Sequence, residues 1–366
     1  MVTFGGDVNF ARSHSAPVPD VLRKFRAWPL DHATEALARE WTGDINFVNV
    51  ETVVSDRDGY VQGKTFVFRS HPDQMRHLMD LGVNAFSLAN NHSYDHGLPG
   101  MEATLGFFED EAARRRDLVF AGLGEGRFAT APRVVEIGGV TVAMSAIGIG
   151  PDWWRASDGR VGMAMWLNAD DREAVLAGLA AVEADLKILS IHQGTENQVA
   201  LDWNNRADFR RAVEEAGVNL VLGHHPHVTR AVEADPEAGT TIFHSLGNLL
   251  FIGGAVRDGL PVGHDYGLLG KAYFAIDAQG VRLTALEAVP LTGVHAAARP
   301  MGPVRLGATL RHLNAISRAA AGSDAAEFTP LGDRGAACFG EPYGPRAGRL
   351  CCRVSRTMSC DLPDLM

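Results

Sequence analysis

Asp7 and Asn9, Glu51, Asn91 and His92, His192, and the pair His225 and His227 are the residues of this chain best suited to chemistry. They combine carboxylate, amide and imidazole groups, the ligand types of Mn, Fe, Zn or Mg, with imidazole favouring the transition metals. Cysteine is absent before Cys338, so a metal in the main body must be held by nitrogen and oxygen. Each residue also has a plainer reading. Asp7 could cap a helix, Asn90 and Asn91 could form a turn, His192 could be a satisfied core histidine, and Glu51 could be an exposed strand-end charge. What separates the two readings is repetition. Six short apolar runs, ending near Phe4, Val48, Ala89, Ile191, Leu222 and His244, each lead directly into a polar cluster.

Those runs alternate with amphipathic stretches. Strands are expected at 2–4, 45–50, 85–88, 133–137, 140–147, 186–191, 219–222, 240–243, 271–276 and 281–289. Helices are expected at 19–28, 31–41, 72–81, 98–115, 169–184 and 205–216. Short strands alternating with helices indicate a layered α/β domain. In such sheets ligands bind beyond the carboxyl ends of the strands, so the six clusters should meet on one rim. Trp153 and Trp154 fall in a long loop, where an aromatic pair either packs the loop down or covers a site. The periodic pattern weakens after about residue 300. Residues 301–366 are therefore expected to be a poorly packed extension of a domain spanning 1–300. The adjacent Cys351 and Cys352 lack the partner spacing of a metal or redox motif.

The chain has 366 residues, 46% hydrophobic and 21% charged, with net charge -10. That acidity disfavours nucleic acid and anionic membranes as partners, though not a small anionic substrate held by local cations. No run approaches the roughly 18 apolar residues of a membrane span. The first residues show no secretory signal, so a cytoplasmic location is expected.

The clusters resemble those of the CapA-type poly-γ-glutamate synthesis proteins, within the calcineurin-like metallophosphoesterase superfamily. The matching segments are GGDVNFAR (5–12), NFVNVET (46–52), FVFRSHPD (66–73), LGVNAFSLANNHSYDHG (81–97), HQGTEN (192–197), AGVNLVLGHHPHV (216–228) and HSLGNLLF (244–251). The resemblance implies a four-layer αββα sandwich and one or two divalent metal ions. It implies Asp7, Asn9, Glu51, Asn91, His192, His225 and His227 as ligands, with Glu51 in the bridging place. Asn9 stands where the superfamily usually has histidine, and Glu51 where it has aspartate, which weakens the ligand set. His92 takes the general-acid position and Asp95 orients it; Asp95 could equally cap the following helix. Arg12 and Arg69 are candidates to hold an anionic group, and Glu196 an amine.

Three functions follow from this reading. One is a metal-dependent hydrolase or transferase acting on a phosphorylated or glutamyl-type substrate in capsule polymer synthesis. Another is a non-catalytic accessory protein that binds a polyglutamyl chain or a synthase partner. The third is an enzyme that forms or cleaves amide bonds in small molecules.

Overall fold

The computed structural model describes residues 1–10, 30–57, 64–252, 266–340 and 344–355. Two sheets carry the fold. The larger runs, in spatial order, β19 (Thr329–Leu331), β20 (Arg334–Cys338), β17 (Gly280–Thr292), β16 (Gly267–Asp277), β1 (Val2–Asn9), β2 (Ile45–Val50), β5 (Ala85–Ser87) and β6 (Val119–Ala121). Strand β15 (Asn248–Phe251) also pairs with β1, and β18 (Arg299–Pro300) with β17. The smaller sheet runs β13 (Val232–Asp235), β14 (Thr240–Phe243), β12 (Leu220–His224), β11 (Leu186–His192), β9 (Val140–Gly148) and β8 (Arg133–Ile137). Short ribbons join β3 (Val53–Val54) to β4 (Arg69–Ser70), and β7 (Leu123–Glu125) to β10 (Val161–Met163).

The strands β1, β2, β5 and β6 run parallel, as do β9, β11, β12 and β14. Parallel strands buried on both faces read as continuous apolar runs, which is why these segments were visible in the sequence. Between the sheets, Phe4 meets Phe243 edge-on at 4.7 Å between ring centroids, and Phe47 lies against His224 at 5.7 Å. Helices α4 (Ala169–Ala181) and α5 (Asn205–Ala216) bury Leu176, Leu179, Phe209 and Ala212 against the outer face of the smaller sheet. On the outer face of the larger sheet, α3 (Gly97–Arg114) packs Phe108 on Phe86 and Phe120. Helices α1 (Leu30–Ala38) and α2 (Pro72–Asp80) add Leu37, Met75 and Leu78 to the same core. The layers are thus helix, sheet, sheet, helix, the α/β sandwich that the resemblance implied. The helix expected at 19–28 lies outside the described residues. No helix among the described residues is long and apolar enough to cross a membrane.

After residue 300 the structure departs from the sequence expectation. Helix α6 (Pro303–Ala321) buries Leu306, Leu310 and Leu313 in the main core. Strand β20 pairs with β17 from Ala285↔Cys338 to Ala288↔Gly335, extending the larger sheet. Arg334 reaches Glu287 at 2.9 Å and Glu40 at 3.1 Å, tying this segment to the first part of the chain. Helix α7 (Pro345–Ser355) buries Leu350 and Cys351 beside Tyr273 and Ala336, and a Cys338–Cys351 disulfide fastens it. Described residues 303–340 and 344–355 are therefore packed rather than loose. In β20 and α7 small residues and a covalent link do much of the packing and leave little periodic signal, whereas Leu306, Leu310 and Leu313 follow a helical spacing that the sequence reading passed over.

Candidate metal centre

Strand β1 delivers Asp7 through an irregularity. Its register with β15 shifts between Asp7 and Val8, and its register with β2 shifts between Phe4 and Asp7. The Asp7 amide donates to the Gly247 carbonyl at 3.0 Å. A Cβ on Gly6 would lie 1.8 Å from that same carbonyl oxygen, so the close approach requires glycine before the aspartate. Asp7 is fully buried. Its Oδ1 accepts from Asn49 Nδ2 at 2.8 Å and lies 3.2 Å from His224 Nδ1; its Oδ2 lies 3.4 Å from His227 Nδ1.

Glu51 follows β2 and is also fully buried. Its Oε1 stands 3.5 Å from His192 Nε2, 3.6 Å from His227 Nε2 and 3.9 Å from His92 Nε2. Neither Glu51 oxygen has a hydrogen-bond partner, and Asp7 Oδ2 likewise has none. His192 ends β11. Asn49 Nδ2 donates to its Nδ1 at 3.1 Å, which leaves Nε2–H to donate to Asn91 Oδ1 at 2.7 Å. The turn after β12 supplies His225 and His227 with backbone φ of 93° and 56°. Non-glycine residues rarely adopt such values, and strained backbone of this kind gathers at functional sites. Asn248 Oδ1 accepts from His227 Nδ1 at 3.0 Å and orients the ring.

A second unit adjoins the first. His92 Nδ1 donates to Asp95 Oδ2 at 2.7 Å, so its Nε2 faces Glu51. Phe68 lies against the His92 ring at 4.3 Å, and its amide donates to Asp95 Oδ2 at 2.6 Å. Lys64 Nζ donates to the other Asp95 oxygen and to the Asn91 carbonyl at 2.6 Å. The residue before the next helix is His96, so Asp95 serves His92 rather than the helix end. Tyr94, between them in sequence, stacks on Trp154 at 5.3 Å, and Trp153 packs edge-on to Tyr94. The tryptophan pair thus anchors its loop on the turn that carries His92.

Charge in this cluster is unevenly shared. Burial pushes the Asp7 carboxyl up, but the adjoining His224 and His227 rings outweigh it and hold Asp7 well below the usual carboxylate range. Burial drives the Glu51 carboxyl well above that range, and the nearby Asp7 and Glu196 charges add to the rise. Burial and the charge on His227 push His225 down to about 4. Burial opposes a charge on His227 too, yet Glu51 and Asp7 prevail and lift it to about 10. Burial also depresses His192.

Two overlapping sets of ligand atoms, Glu51–His192–His225 and Asp7–Glu51–His227, each lie within 4.8 Å of one another. Buried carboxylate oxygens without partners are costly unless a cation meets them. The unpartnered Glu51 oxygens, shared by both sets, therefore fit a divalent ion, and the mixed imidazole and carboxylate donors fit Mn, Fe or Zn. Near neutral pH His227, lifted to about 10, carries a proton on both ring nitrogens. Metal loading must expel one of them. Calorimetry at pH 7 in buffers of different ionisation enthalpy should show release of about one proton or more with the first ion; loading with no proton release would contradict this arrangement.

The other expected residues fall as follows. Asn9 is buried at the end of β1, and its carbonyl accepts from Ile252. Arg69 is buried in β4, next to Phe68. Glu196 is exposed in the loop after β11, close enough for its charge to act on Glu51 and His225. Arg12 lies outside the described residues. Sequence reading passed over Asn49, left His224 out of the ligand set, and missed Lys64. Asn49 stands two residues before Glu51 on a strand, hence on the same face, which was the available signal.

A family model described as bacterial capsule synthesis protein PGA_cap matches residues 1–252. The chain belongs to that family. A PGA biosynthesis protein CapA of Bacillus subtilis is 30% identical over 213 residues, 57% of this chain and 53% of that protein. A probable polyglutamine synthesis accessory protein of Mycobacterium tuberculosis is 28% identical over 225 residues, 56% of this chain and 55% of its own. The chain thus spans about half the length of the curated relatives it matches. Among solved structures, a novel phosphatase of Mycoplasma pneumoniae is 16% identical with TM-score 0.46, over 79% of this chain and 92% of that one. A putative 5'-nucleotidase of Staphylococcus aureus is 12% identical with TM-score 0.43, over 82% and 54%.

Proposed function

We propose that this family member is a metal-dependent hydrolase or transferase that acts on an amide or phosphoryl centre of a glutamyl-type substrate in capsule polymer synthesis. The observation that carries the reading is the unpartnered, buried Glu51 carboxylate, shared by two ligand sets and faced by the His92–Asp95 pair. Asp7, Glu51, His192, His225 and His227 hold one or two divalent ions, with Asn91 and Asn9 as amide ligands. An ion bound there supplies Lewis acidity and makes a water nucleophilic near neutral pH. Asp95 holds the proton of His92 on Nδ1, and Lys64 balances the Asp95 charge. His92 Nε2, once protonated, delivers a proton to the departing nitrogen or oxygen. Arg12 and Arg69 serve the anionic groups of the substrate.

The glutamyl assignment rests on the names of the relatives, and the accessory name of the mycobacterial protein favours a second reading. In that reading the same cluster binds a polyglutamyl chain or a synthase partner without turnover. Purified protein loaded with Mn should cleave a γ-glutamyl amide or a simple phosphodiester, and lose that activity on chelation. A metal-loaded protein inert on both, yet retained by a polyglutamate synthase in a pull-down, would replace the enzymatic reading with the accessory one.

A further inference from the structure

The loop between β11 and α5 directly follows His192 and carries the exposed Glu196, whose charge acts on Glu51 and His225. The loop is built around a fully buried cation, Arg230. Arg230 Nε donates to the Gln198 carbonyl at 2.8 Å, one terminal nitrogen to Asp202 Oδ2 at 2.9 Å and the other to the Thr195 carbonyl at 3.0 Å. Asp202 in turn accepts from the Thr195 amide at 3.0 Å and from its hydroxyl. Glu196 is thus flanked by residues fastened to one guanidinium. Gly194 has φ 132°, and a Cβ there would lie 2.8 Å from the Arg230 guanidinium, so the loop closes on the cation only with glycine at that point. Asn197, with φ 62°, donates its amide at 2.8 Å to the carbonyl of Pro226, the residue between His225 and His227. The backbone of the loop is therefore held against the turn that carries the histidine pair.

That anchoring has a chemical consequence. A polyglutamyl chain joined through its side-chain carboxyls carries a negative charge on every residue and a positive charge only at its amino end. A carboxylate on a loop held beside the histidine pair repels the repeating anions and accepts the terminal ammonium. Resting on the glutamyl reading above, we propose that Arg230 and Asp202 are positioning residues that present Glu196 to the free amino terminus of a glutamyl oligomer. The protein then engages the polymer from its amino end rather than along its length.

The test is a binding ratio that needs no turnover. Metal-loaded full-length protein is titrated with γ-linked tetraglutamate bearing a free amino terminus and with its N-acetylated counterpart. Wild type should bind the free-amine form about tenfold more tightly, the order expected for one charge-assisted contact. In E196Q the ratio should collapse toward one. R230Q and D202N should lower the ratio as well, and R230K should restore part of it. A merely structural role would weaken both ligands alike and leave the ratio in place. Equal binding of both oligomers by wild type, or a ratio unchanged in E196Q, would overturn the chain-end proposal alone. Binding of neither would overturn the glutamyl reading beneath it.

Discussion

Replacing His92 with alanine should lower turnover of substrates with basic leaving groups by about 100- to 10,000-fold, the range for loss of a positioned general acid. Substrates that expel p-nitrophenolate need no proton at departure, so their turnover should fall far less. The contrast follows from geometry. His92 Nε2 points into the site 3.9 Å from Glu51, while its Nδ1 is taken by Asp95. His92 belongs to neither ligand set, so the variant should keep its metal content. Asp95→Asn should produce a smaller loss with the same leaving-group dependence, because an amide no longer dictates the tautomer. Equal losses across both substrate types would remove His92 from the acid role and leave it as a packing partner of Phe68.

Glu51→Gln should separate stability from metal binding in opposite directions. Glu51 is buried without a hydrogen bond, near Asp7, and its carboxyl is driven well above its ordinary range. Two effects compete when the charge is removed. Loss of attraction to His227 destabilises, while relief of desolvation and of repulsion from Asp7 stabilises. The raised carboxyl decides the sign, because it means the folded protein favours the neutral form. His227 still keeps Asp7 at 3.4 Å. Metal-free Glu51→Gln should therefore be more stable than wild type by about 1 kcal/mol in denaturant unfolding at neutral pH. Its metal affinity should fall by more than about 100-fold, since even groups that only support a ligand cost 10–100-fold, and Glu51 belongs to both sets. A variant that unfolds more readily without metal and still loads normally would show that Glu51 is a structural charge.

Local pattern sufficed for the strands that end in the polar clusters. Val2–Asn9, Ile45–Val50 and Leu186–His192 are buried along nearly their whole length, so each carries apolar residues at most positions and leads into a polar cluster at its carboxyl end. The same pattern brought out the clusters that contain Asp7, Glu51, His192, His225 and His227, because β-strand polarity sends carboxyl ends to one rim, and the resemblance picked these residues out of the clusters. Tertiary structure alone decided how they divide the work. That Glu51 serves two ligand sets depends on distances between strands of different sheets. Asn49 and His192, 143 residues apart, touch only because the sheets face one another. Lys64 lies beside Asp95, a contact that no periodicity records. Strand β20 was illegible for a related reason, although Leu306, Leu310 and Leu313 of α6 did carry a helical spacing. Strand β20 is built on Gly335, Ala336 and Ala337, residues with little intrinsic strand preference, and it forms because β17 offers a free edge. The Cys338–Cys351 link completes that packing, and disulfide connectivity cannot be read from sequence. Sequence specifies elements through neighbours along the chain; the centre and the packed end arise from contacts between elements, which no local window contains.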